Sequence, residues 1–284
     1  METNGKRSMM AQIRPPAVAG SFYPADPGRL RTMVSGFLAE TSTGTHNAKA
    51  VIAPHAGYLY SGAVAGRAFS YISERTHPIE RVVLIGPSHF VRFRGIAVPQ
   101  ARAFETPLGR VPIDGQSLAS ISDLPFVLRS DAVHCPDHAI EVELPFLQML
   151  LPGFLLLPLL VGQVRPKDVA DALRLVWGGS ESIIVVSSDL SHFHGCNAAR
   201  RLDAATAQKI ESGDWAGLGP DNACGYLSIA GLMIEAERRG LKAQRLALCN
   251  SGDTAGPRDQ VVGYGAWAFS ESAASVETSG SPRC

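Results

Sequence analysis

The 284-residue sequence predicts an α/β fold, a three-layer α/β/α sandwich built on a mainly parallel or mixed central sheet. Three observations carry this. Short, β-branched apolar runs recur along the chain, and several are apolar on both faces, as strands buried between two helical layers are. Helix-like patterns lie between those runs, so strand and helix alternate over nearly the whole length. The composition, 45% hydrophobic and 18% charged, is that of an ordinary globular protein with material for a real core.

The elements follow in order. Arg14–Asp26 (RPPAVAGSFYPAD) is too rich in proline for helix or central strand, so it is expected to lie as an ordered loop across the sheet, with a helix starting near Pro27. Strands are expected at Ala50–Pro54, Arg81–Gly86, Leu155–Val161, Ser182–Ser188, Arg245–Cys249 and Val261–Phe269. Helices are expected at Tyr60–Glu74, Ala139–Leu151, Pro166–Val176, Asn197–Glu211 and Ala223–Arg239, the last stopped by Gly240. With no internal repeat and no linker, residues 1–270 read as a single domain, and residues 271–284, small and polar, as a disordered tail.

Lysine plus arginine and aspartate plus glutamate both number 26, so no global field favours nucleic acid or an anionic membrane. The most apolar stretch, Leu144–Gly162, is broken by Pro145, Gln148, Pro152, Gly153 and Pro158, which suits a core helix, a turn and a strand rather than a membrane span. Five cysteines, odd in number and irregularly spaced, read as reduced thiols of a cytoplasmic protein. Gly-rich phosphate loops, a Gly-x-Ser-x-Gly elbow and a His-Glu-x-x-His helix are all absent, so nucleotide cofactors are not indicated.

Open α/β sheets bind ligands outside the carboxyl ends of their strands. Three predicted strand ends carry histidine: Pro54-His55-Ala56-Gly57, Gly86-Pro87-Ser88-His89 and Ser187-Ser188-Asp189-Leu190-Ser191-His192-Phe193-His194. One histidine in a loop is ordinary; three strand ends together point to a shared site. Cys224 follows Asp221 and Asn222, plausible N-cap residues, so it is expected in the first turn of a helix, where the thiolate is favoured as nucleophile or as metal ligand. A buried structural thiol is the plainer alternative. His138 and Glu141, one helical turn apart, can face the same cleft, although early carboxylates also simply suit a helix dipole. Asp189 is placed to orient His192 across a tight turn.

Arg14…Ala19-Gly20-Ser21-Phe22-Tyr23-Pro24, Ile52-Ala53-Pro54-His55-Ala56-Gly57-Tyr58, Gly86-Pro87-Ser88-His89, Asp137-His138-Ala139-Ile140-Glu141-Val142, Ser187-Ser188-Asp189-Leu190-Ser191-His192, Ala223-Cys224-Gly225 and Ser251-Gly252-Asp253, in this order, resemble the Memo family, also called AmmeMemoRadiSam system protein B. The resemblance implies a fold like the LigB-type extradiol dioxygenases (phosphorylase/hydrolase-like). It also implies one divalent metal ion on His55, His89 and Cys224, with His192 as catalytic histidine and Asp189, Glu141 and His138 lining the cleft. It further suggests radical-SAM and AMMECR-like partner proteins. Phe193-His194 and Thr254-Ala255-Gly256-Pro257 depart from the pattern and bear on the cleft rim.

Two imidazoles and an anionic ligand suit Fe(II), while thiolate in place of carboxylate softens the site toward copper or zinc. The leading expectation is a non-haem iron or copper redox protein, an oxidoreductase with a dioxygenase-like site acting on a small molecule. A non-catalytic adapter that binds peptides or partner proteins in the same cleft, and a Cys224-dependent hydrolase with His55 or His192 as base, remain alternatives.

Overall fold

The computed structural model describes residues 13–39, 48–73 and 78–271. Of the expected tail at 271–284, Glu271 instead ends the last strand and the rest lies outside the described residues.

The N-terminal segment enters as a two-residue strand, β1 (Ile13–Arg14), then an irregular stretch, then α1 (Pro27–Ala39). The core alternates β2 (Ala50–Ala53), α2 (Tyr58–Ser73), β3 (Arg81–Pro87), β8 (Leu155–Val161), α6 (Pro166–Leu175), β9 (Ser182–Ser187), α7 (Cys196–Ser212) and α8 (Tyr226–Arg238). Two long strands close it, β11 (Leu241–Asn250) and β12 (Val261–Glu271). The segment from 96 to 134, to which apolar periodicity assigned no element, supplies β4 (Ile96–Val98), β5 (Ala103–Thr106), β6 (Gly109–Pro112), α3 (Gly115–Ile121), β7 (Val127–Arg129) and α4 (Asp131–His134). These pieces are only three to seven residues long, too short to show a period.

Nine strands form one mixed sheet in the order β10-β12-β2-β9-β3-β8-β4-β7, where β10 is His192–His194 and β11 pairs with β12. The four central strands are parallel. β12 runs antiparallel to β2, and β4 antiparallel to β8. A separate three-stranded sheet joins β1, β5 and β6.

Neighbouring residues of a strand point to opposite faces, and the core divides accordingly. Val51, Val82, Leu84 and Val185 pack with Val34 of α1, Phe69 of α2 and Phe146 of α5 (Leu144–Leu150). Ile52, Val83, Ile85 and Val186 pack with Leu173 of α6, Ile210 of α7 and Ile229 of α8. These strands are apolar on both sides because helices cover both sides, which gives the three-layer sandwich. On the second face α8 crosses α6 so closely that a Cβ on Gly231 would stand 2.3 Å from Val169 Cγ1. Glycine is what lets the two backbones approach.

The stretch Leu144–Gly162 resolves into α5, a turn and β8, with Pro145 in the first turn of the helix. That helix begins later than expected: 135–140 is turn, and 141–143 is a single 3-10 turn. Among the described residues no helix is long and apolar enough to cross a membrane.

Candidate metal centre

Strand register assembles the site. Ala53 of β2 lies opposite Ser187 of β9, whose neighbour Val186 lies opposite Ile85 of β3. His55 and Asp189 are therefore each two residues past the same level, and His89 emerges beside them from β3. The rings of His55 and His89 lie 5.0 Å apart, and His138 reaches in from the 135–140 turn to stack on His89 at 4.5 Å. His55, His89 and His138 form a group whose candidate ligand atoms all lie within 4.8 Å of one another, so it could hold a metal ion.

Hydrogen bonds fix which nitrogens are free. Ser187 Oγ gives its proton to the Ala139 carbonyl at 2.6 Å, so at 2.7 Å it accepts the proton of His55 Nδ1. His89 Nδ1 donates to Asp137 Oδ1 at 3.3 Å, while its backbone N–H donates to Asp137 Oδ2 at 2.6 Å. Nε2 is thereby the ring nitrogen each histidine can offer to an ion, the arrangement that supporting groups impose on metal-binding histidines. His138 Nδ1 is buried with no hydrogen-bond partner.

Burial keeps the His55 and His138 rings neutral. Burial is the main cause that holds His55 well below the ordinary histidine range and lowers His138 to about 4; the facing histidines add to it. Burial also pushes Asp137 up, but hydrogen bonds from the His89 ring and backbone outweigh it and leave Asp137 an ionised partner for His89. Asp189 is raised to about 7 by burial.

Cys224 sits just ahead of α8, not in its first turn: the helix starts at Tyr226, capped by Gly225, because Gly225 must lie against β9. A Cβ there would meet Ser188 Oγ at 2.7 Å and the Ser187 carbonyl at 3.0 Å. The Cys224 Sγ lies 3.3 Å from His55 Nε2. Burial and the Asp189 charge push the thiol up to about 12.

Two further expectations meet a different geometry. Glu141, one turn from His138, has both oxygens engaged away from the rings: it pairs with Arg14 Nη1, accepts from Ala17 N at 2.7 Å and Val18 N at 3.0 Å, and accepts from Tyr23 Oη. It ties the N-terminal segment to the sheet. Asp189 does not orient His192 either, since its Oδ1 accepts from the His55 backbone N at 2.9 Å. His192 is oriented instead by the Leu190 carbonyl, 2.8 Å from Nδ1, which leaves its Nε2 as an acceptor. It stands close enough to His55 and His89 for their charges to oppose its own. At the rim, Phe193 is 72% exposed with φ +61°, a left-handed backbone that bulky residues rarely adopt. His194 is exposed beside it.

Ser187 and Asp137 are the site residues that sequence reasoning undervalued. Both stood inside noticed motifs, but only the fold shows that each is the Nδ1 partner of a different histidine.

The Memo-like protein family matches residues 14–268. A "MEMO1 family protein" of Sulfolobus acidocaldarius is 34% identical over 278 residues, covering 89% of this chain and 97% of the relative. One of Metallosphaera sedula is 31% identical over 283 residues, covering 91% and 99%, and one of Thermoplasma volcanium is 33% identical over 263 residues, covering 89% and 96%.

Proposed function

The chain belongs to the Memo family, and from that premise we propose that it is a metal-dependent redox protein whose ion is held by His55, His89 and Cys224. The observation that carries the reading is the pair of imidazoles whose Nδ1 atoms are held by Ser187 and Asp137, which leaves Nε2 as the atom each can give to an ion. A dication buried among neutral rings also needs an anion. Support for Cys224 as that anion is its distance: 3.3 Å from Sγ to His55 Nε2 is close to the ~3.5 Å expected between a sulfur and a nitrogen on one ion. His138, stacked on His89, is the competing third donor.

Iron is favoured over copper or zinc by the facial two-histidine-one-anion pattern. When bound, the ion would supply redox and Lewis-acid chemistry at its open positions. The residues do the rest: Ser187 and Asp137 hold the rings, Asp189 fixes the His55 loop, and His192 Nε2 accepts or returns a proton at the ligand.

Anaerobic titration with Fe(II) or Cu tests this. One equivalent should bind, and His55→Ala, His89→Ala and Cys224→Ser should each weaken binding by more than the 10–100-fold of outer-shell losses. If His138→Ala weakens binding while Cys224→Ser does not, the ligand set is the three histidines. Because the thiol must lose its proton to bind, affinity should fall as pH falls from about 8 to about 6. The metal-free hydrolase reading predicts fast alkylation of Cys224 by iodoacetamide, which a thiol raised to about 12 disfavours.

A further inference from the structure

A cavity of about 650 Å³ opens on the Cys224 side of the centre, between the loop after β3 and the start of α8. Arg92 and Arg94 both line it, and no carboxylate does. Both arginines are exposed, and neither side chain has a hydrogen-bond or ion-pair partner among the described residues. In a chain whose 26 cations balance 26 anions, two unneutralised guanidinium groups in one cleft are a local excess. Phe93, Tyr226 and Leu227 supply an apolar wall.

The loop is not slack. Ser88 N donates to the Val161 carbonyl at 3.0 Å, Gln163 N to Phe93 at 2.8 Å, Gly162 N to Gly95 at 2.9 Å, and Gly95 N to Gln163 at 2.9 Å. A Cβ on Gly162 would stand 2.4 Å from the Phe93 carbonyl oxygen, so the loop and the end of β8 touch backbone to backbone. The arginines are thus presented from a fixed edge, the condition under which a guanidinium recognises an oxyanion with little ordering cost.

We propose that this cleft binds a small organic oxyanion, a carboxylate or phosphate ester, with its charged end on Arg92 and Arg94 and its apolar body on Phe93 and Tyr226, directed toward Cys224. The metal reading above is needed only for what happens at the far end of the ligand; anion capture stands on the arginines. The probes are 3-phenylpropanoate, 2-phenylethyl phosphate and the neutral 3-phenylpropanamide, titrated calorimetrically into metal-free and Zn-loaded protein.

Either anion should bind in the millimolar range or tighter, and the amide at least about tenfold more weakly, the scale of one charge-assisted hydrogen bond. Whichever anion binds more tightly identifies the head group. Arg92→Gln and Arg94→Gln should each cost about tenfold, and the pair more, with the melting temperature and metal stoichiometry unchanged. Raising salt should weaken the anions and not the amide. Equal binding of amide and anions, full retention of binding in the double variant, or no binding of either anion overturns the proposal. His55→Ala and His89→Ala test the metal separately: they should abolish metal uptake and leave anion binding by metal-free protein intact.

Discussion

Glu141→Gln should destabilise the fold more than it disturbs any chemistry. Arg14 is only 2% exposed and Glu141 fully buried, so the amide would leave a buried guanidinium without its counter-charge. It would also turn an NH2 group toward some of the four donors that now converge on two oxygens: Arg14, Ala17 N, Val18 N and Tyr23 Oη. Breaking a buried ion pair from one side costs roughly 3–5 kcal/mol. Each buried donor left without an acceptor adds about 1–3 kcal/mol unless the segment peels into water, which caps the sum. A loss of about 3–5 kcal/mol is therefore expected, read from urea midpoints at constant slope, together with faster proteolysis within residues 14–23. Arg14→Met combined with Glu141→Leu should recover part of the loss, because it removes both charges together. A loss below about 1 kcal/mol, with altered reactivity of the metal-loaded protein, would refute the anchoring role and return Glu141 to the cleft.

Three further outcomes follow from the geometry. Burial lowers His134 to about 4 against about 6.5 in an unfolded chain, so the unfolded state binds the extra proton first. Stability is then full above pH 6.5 and falls as pH drops toward 4, by up to about 3 kcal/mol for this one group; His134→Gln should flatten the urea midpoint across that window. Asp137→Asn removes the charge that orients His89, so metal affinity should fall about 10–100-fold while the fold persists, as followed by competitive chelator titration and circular dichroism. Gly225→Ala forces a methyl to within 2.7 Å of Ser188 Oγ, so thermal unfolding should register a loss of about 1–3 kcal/mol, with slowed or weakened metal uptake as Cys224 shifts.

The sequence by itself determined the layers and the neighbourhood of the site. Runs such as Ile183–Val186 are apolar at every position, which only a strand covered on both faces requires. Histidines directly after such runs had to gather at one sheet edge once the strands were parallel. The tertiary structure decided what each of those residues does. His138 and Glu141 are three residues apart, yet one joins the His55–His89 group that could hold an ion and the other pairs with Arg14, 127 residues upstream. Cys224 precedes its helix because Gly225 is pressed against Ser188, and burial with the nearby Asp189 charge pushes its thiol up to about 12. His192 is held by the Leu190 carbonyl rather than by the Asp189 carboxylate, which is occupied by the His55 backbone. A one-dimensional pattern records which face of an element is apolar. The direction of a polar side chain, its proton and its pKa are set by partners that can lie more than a hundred residues away, and only the packed fold brings those within hydrogen-bond reach.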